Sequence, residues 1–280
     1  MPRLAAIAVL FCLAAPAGAV LPERLSQTGL DEPGVRAFEP RFALWSDGAA
    51  KRRWIALPPG AQVDASQPDA WRFPAGTRLW KAFSVAGRPV ETRVITRAAD
   101  GRWAFASYVW QGDDAVKAPA RGQVLTLPGG QRYDVPSVGD CMACHAGARS
   151  PVLGFAALQL GPAVPALVRE GLFKNAPAAW ATQAPDFVAA NPAEHAARGY
   201  LHANCGHCHH GDIGDGGVPV PLRLALDVGA APAPVDGAAV TRRAGTRNPY
   251  QQMPPLGTRE VDAKGLALLA HHFNKPENRP

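Results

Sequence analysis

Cys205-Gly206-His207-Cys208-His209 repeats the pattern of Cys141-Met142-Ala143-Cys144-His145: two cysteines separated by two residues and followed at once by histidine. Two thiols at this spacing can add to the two vinyl groups on one edge of a porphyrin, while the adjacent histidine swings beneath it to ligate iron. The repeated pattern predicts two covalently bound haem c groups, with His145 and His209 as axial ligands of the iron. A four-cysteine zinc site or a pair of redox dithiols would also use cysteines two apart. Zinc ribbons place their pairs about 15 to 20 residues from one another, whereas about sixty residues separate Cys144 from Cys205. Zinc also gives no reason for histidine to recur at the same place in both motifs.

The fifth cysteine, Cys12, lies in a stretch that reads as a secretory signal peptide over residues 1–19. Met1-Pro2-Arg3 supplies the positive start, Leu4 to Ala15 the apolar run, and Ala17-Gly18-Ala19 a small-residue cleavage site. About twelve apolar residues are too few to span a hydrocarbon core that needs about twenty. Phe11 stands where a lipid-anchored cysteine would be preceded by a small residue. The mature chain is therefore expected to begin near Val20, in the periplasm or otherwise exported, with no stable membrane span. Export would ordinarily turn the remaining four cysteines into disulfides, but their spacing assigns them to haem.

The chain carries 29 Lys and Arg against 23 Asp and Glu, a formal net charge of +6. Such an excess raises the question of nucleic acid. No dense basic run is present, and each haem would bring two propionates, so nucleic acid is not expected as a partner. The charge supports only a weak preference for an acidic redox protein.

A length of 280 residues allows one large domain or two modest ones, and the patterning divides near Ser137. From 20 to 137 it has period two. Val90, Thr92, Val94 and Thr96 share one face of a strand whose other face holds Glu91, Arg93, Ile95 and Arg97. Ala98 to Gly101 turns that strand into Arg102 to Trp110, and Gly129-Gly130 joins a second hairpin. These signals predict a β-sandwich or small barrel. Its six tryptophans read as core and cross-strand packing before they read as a stacking cleft for a ligand.

From 138 to 280 the composition is mainly helical. Helices are expected over Pro165 to Phe173, Ala176 to Ala190 and Ala193 to Asn204, with an amphipathic one over Val261 to Phe273 that carries Leu266, Leu269 and Phe273 on one stripe. The fold class expected is α+β, a β-rich domain followed by a helical dihaem region. A low-spin haem needs a second axial ligand, and methionine thioether is a usual choice. Beyond the leader only Met142 and Met253 are available. Met142 lies on an attachment loop, whereas Met253 sits in a loop stiffened by Pro254 and Pro255, so Met253 is expected on the second iron.

Arg198 to Asn204, leading straight into Cys205, together with Met253-Pro254-Pro255-Leu256-Gly257, resembles a class I cytochrome c domain. In that family the two terminal helices pack on each other, which implies the same for roughly Ala193 to Phe273. Leu44-Trp45-Ser46-Asp47-Gly48-Ala49 and Val135-Pro136-Ser137 resemble a family of bacterial dihaem c-type cytochromes, which implies a periplasmic redox protein. With Met253 assigned, the first iron is left with a histidine, an atypical ligand or an open position. His195 and His202, seven apart on one helix face, are the histidines that could point between the haems.

Electron transfer between periplasmic redox proteins is therefore the leading expectation. An open first haem would instead make a dihaem peroxidase-like enzyme. A third possibility makes the β-rich half a binding module and the haems the electron outlet of a partner dehydrogenase.

Overall fold

The computed structural model describes residues 21–211, 218 and 220–274. The expected leader and Cys12 lie outside the described residues. In chain order the elements are β1 (Arg36–Phe38), β2 (Ala50–Ala56), β3 (Val63–Asp64), β4 (Arg78–Val85), β5 (Arg88–Arg97), β6 (Trp103–Gln111), β7 (Asp114–Lys117), β8 (Gln123–Thr126), β9 (Arg132–Val135), α1 (Val138–His145), α2 (Ala157–Leu160), α3 (Val164–Arg169), β10 (Phe173–Lys174), α4 (Pro192–Asn204), α5 (Gly237–Ala244) and α6 (Ala263–Phe273). The fold is α+β.

Both expected hairpins form, as β5–β6 and as β8–β9. The sandwich or barrel does not. The main strands make one open antiparallel sheet in the order β1-β2-β4-β5-β6-β7, with β1 and β7 at its edges. The physical reason is that chain segments, not a second sheet, cover its two faces. Trp54, Trp80, Val94 and Ala106 lie in register across one face. The N-terminal segment covers them with Leu21, Leu25, Leu30 and Val35.

Ile55, Leu79, Ile95 and Phe105 are in register on the opposite face. Ile55 and Leu79 there share a core with Val152, Phe155, Leu160, Val164, Phe173 and Trp180. Each such buried large side chain contributes about 1.5–3 kcal/mol. One hydrophobic core thus runs across the position near residue 137 where the sequence patterning divides. Strand β10 reinforces this by pairing in parallel with β3.

The tryptophans are mainly packing residues, with Trp80 1% and Trp71 3% exposed. Trp45 and Trp80 also line the cavity between the sheet and the helices.

The helical expectations need two corrections. Pro165 to Phe173 divides into α3 and the short strand β10. Ala176 to Ala190 holds only a 3-10 turn over Ala178–Ala181. Pro177 and Pro185 lack the N–H groups a helix needs. Tertiary partners then claim the rest, with the Val188 N–H donating to Ala230 O at 2.9 Å and Phe187 stacking on His195 at 4.5 Å between centroids.

The last two helices agree with expectation. Helix α4 begins behind Asn191, whose side chain accepts the Glu194 N–H, and α6 behind Asp262, which accepts that of Gly265. They pack together through Ala197 and Leu201 against Leu269 and Phe273. A Cβ on Gly265 would lie 2.4 Å from the Tyr200 ring, so the close crossing requires glycine there.

Candidate haem site

Between the sheet and the helices lies a cavity of about 850 Å³ that both cysteine motifs reach. Cys141, Cys144 and His145 enter its wall from α1, and Gly206, His207 and Cys208 from the loop after α4. Strands β2, β4 and β5 contribute Arg53, Lys81 and Arg93, and the loop after α5 contributes Gln252, Pro254, Leu256 and Arg259.

The start of α1 is fixed locally. The Ser137 hydroxyl accepts the Asp140 N–H at 3.0 Å, and the Asp140 carboxylate accepts the Ser137 N–H at 2.9 Å. This capping box settles where the helix carrying the first motif begins.

At its other end His145 Nδ1 lies 2.6 Å from the Pro151 carbonyl. A carbonyl only accepts, so Nδ1 carries the proton and Nε2 keeps its lone pair, the arrangement found where imidazole ligates a metal. Burial pushes the His145 pKa down to about 4, which keeps the ring neutral.

The second motif is held from both sides. Asn204, 3% exposed, closes α4. Its Oδ1 accepts the Trp45 N–H at 2.7 Å, and its Nδ2 donates to Ala43 O at 3.0 Å. The Trp45 indole donates to Glu260 O at 3.1 Å, and Asp47 accepts the Arg259 and Glu260 N–H groups. The Leu44-to-Ala49 stretch is therefore a clamp that ties the sheet to the motif and to the loop after α5. Gly206 has no room for a side chain, since a Cβ would lie 2.8 Å from His202 O and 2.9 Å from Ala225 Cα.

The expected residues are not equally placed. Cys141, Cys144 and Cys208 line the cavity, whereas Cys205 packs against the α4–α6 core, where burial raises its thiol to about 12. His209 is 8% exposed and stands outside the cavity wall, and its Nδ1 has no hydrogen-bond partner among the described residues. Met253 is half-buried, anchored by its N–H to Arg243 O at 3.0 Å. Its neighbours Gln252 and Pro254 reach the cavity, and Met253 itself does not.

Each histidine expected to point between the haems has one ring nitrogen engaged. His195 Nε2 meets Asp186 at 3.0 Å and lies away from the cavity. His202 lines it, but its Nδ1 accepts the Leu226 N–H at 3.0 Å, which leaves the proton on Nε2.

The zinc alternative finds three donors together. Cys144, His207 and Cys208 have ligand atoms within 4.8 Å of one another, while Cys141 and Cys205 are not in the group. Hydrogen bonds from Cys208 and His207 pull the Cys144 thiol down to about 4, and Cys208 as donor is pushed up. A structural zinc site is closed by four ligands, and four cysteines are not gathered here.

The donor set fits haem best at the first motif. Six cations line the cavity against three carboxylates. Arg247 Nε and Thr258 Oγ1, both in that wall, are buried without hydrogen-bond partners among the described residues, as donors awaiting an anionic group would be.

Several residues here escape sequence reading. Glu91, 0% exposed, is the clearest. It accepts Arg93 Nε and Nη2 at 2.9 Å each and the Tyr133 hydroxyl at 2.7 Å. A charged residue on an alternating strand reads as a solvent face, and only the fold shows that this face is covered.

Comparison with known proteins finds no matching family model, curated protein or solved structure. Among the described residues no helix is long and apolar enough to cross a membrane.

Proposed function

We propose that this chain is an exported, periplasmic dihaem c-type cytochrome that passes single electrons between redox proteins. The observation that supports the reading is that Cys141, Cys144 and His145 share one cavity with Cys208 of the second motif, with Pro151 holding His145 in the tautomer that leaves Nε2 free. Bound haem supplies a one-electron iron couple. Cys141 and Cys144 would hold one group and Cys205 and Cys208 the other, and His145, His209 and Met253 would be the residues to ligate iron, the last two from outside the cavity wall. The chain's remaining work is to exclude water with the surrounding core and to offset propionate charge with the cationic wall.

A second reading is favoured by one observation. His195 Nε2 meets Asp186, and the Leu226 N–H on His202 Nδ1 leaves a proton on Nε2, an arrangement that does not favour either as a sixth ligand of the first iron. An open position there would suit a peroxidase-like enzyme that reduces a small oxidant.

The test is the pyridine haemochrome spectrum and haem-stained denaturing gel of the protein exported from a host that matures c-type cytochromes. Two haems per chain that survive denaturation are expected, and one or none overturns the proposal. A carbon monoxide or cyanide shift in the loaded protein selects the second reading.

A further inference from the structure

Arg53, Lys81 and Arg93 stand directly opposite one another on β2, β4 and β5, since Arg53 pairs with Lys81 and Lys81 with Arg93. All three line the cavity. Directly opposed residues have Cβ atoms about 4.5–5.5 Å apart, and like charges so placed destabilise a sheet. A row of three cations under a covered face therefore needs negative charge beside it.

Arg93 takes the carboxylate nearest the row, Glu91, while Glu39 favours the charged Arg53 only from beyond ion-pair distance. Glu91 is bound twice by Arg93 and once by the Tyr133 hydroxyl, and the Arg93 guanidinium lies over the Phe83 ring at 4.3 Å. Neither Arg53 nor Lys81 has an ion-pair partner among the described residues. Burial first, then the guanidiniums of Arg93 and Arg53, push the Lys81 ammonium well below its usual range, and burial also lowers Arg53. An anion seated against them would favour both charged forms and so offset the effect of burial.

We propose that Arg53 and Lys81, braced by the Glu91–Arg93 pair, are the receptor for an oxyanion in the cavity. Two sources share this chemistry: a propionate of a bound haem, which rests on the reading above, and a small free oxyanion, which does not. Lys81 donates as a point charge and Arg53 as a planar fork, a pairing that suits a carboxylate or an inorganic oxyanion equally.

The experiment compares the full wild-type chain with Lys81→Met, Arg53→Met and the charge-preserving Lys81→Arg, after the haemochrome spectrum has fixed the haem content. Sulfate and nitrite are titrated by calorimetry, and the haem midpoint potentials are measured by spectroelectrochemistry. A free oxyanion predicts binding by wild type that weakens at least tenfold in Lys81→Met and Arg53→Met and is kept in Lys81→Arg. A propionate predicts no binding of added anion, and a midpoint potential lowered in Lys81→Met, because losing a cation disfavours the reduced iron. Lys81→Arg would then keep the wild-type potential. No anion binding by wild type together with unchanged potentials in both methionine variants overturns the receptor. In a chain that carries no haem the propionate source fails with the haem reading, and absence of anion binding by wild type alone overturns it. Should Lys81→Met not fold, Arg53→Met decides the same outcomes.

Discussion

Replacing Asn204 with alanine tests whether the Leu44-to-Ala49 clamp holds the second motif in place. The substitution removes two tertiary hydrogen bonds, from the Trp45 N–H at 2.7 Å and to Ala43 O at 3.0 Å. A third, from Nδ2 to Tyr200 O at 2.9 Å, lies within the helix. Each tertiary bond contributes about 1 kcal/mol net, and orphaning its partner adds about 1–3 kcal/mol where that partner stays dry. Alanine returns a few tenths of a kcal/mol through its helix propensity. The expected loss is about 2–3 kcal/mol, close to a hundredfold in the folding equilibrium. Urea unfolding followed by tryptophan fluorescence reads it as a lower midpoint at unchanged slope. Amide exchange at Trp45 should speed up beyond that at β5, which the substitution does not touch. A change within about 0.5 kcal/mol, the range of an ordinary surface substitution, would refute the clamp.

Gly265→Ala places a Cβ 2.4 Å from the Tyr200 ring, so it should cost about 1–3 kcal/mol as overpacking, and Tyr200→Leu in the same chain should restore at least half of that in urea unfolding. His202 is held to about 4 by burial, below its ordinary 6.5. Its depressed value contributes stability that is complete above pH 6.5 and is lost as pH falls towards 4, at about 1.4 kcal/mol per pH unit. Unfolding midpoints measured across that window should flatten in His202→Asn, whose side-chain oxygen can still accept the Leu226 N–H. Joint replacement of Cys141 and Cys144 by alanine should leave one covalent haem per chain in the haemochrome spectrum, and retention of two would refute the assignment of the first motif.

The sequence by itself determined what is local. The spacing of Cys141, Cys144 and His145, repeated at Cys205, Cys208 and His209, is complete within five residues, and the proposal of haem rests on it. The hairpin at Ala98 to Gly101 and the α4 and α6 helices were legible because their turn residues, helix-forming composition and apolar periods lie within a few residues of one another. The structure adds their caps, Asn191 and Asp262, which the sequence reading did not single out.

The tertiary structure decided what lies opposite what. Alternation along β5 shows two faces but not what covers each, so a sandwich was expected where residues 150–181 instead pack on the sheet. Ala176 to Ala190 has helix-forming composition, yet its prolines and its bonds to residues far along the chain keep most of it out of α-helix. His202 was a ligand candidate by spacing, and the Leu226 N–H reverses that by fixing its proton on Nε2. The cation row of Arg53, Lys81 and Arg93 joins three strands whose pairing no local pattern specifies. Burial and proximity arise from contacts between distant segments, and those exist only once the chain has folded.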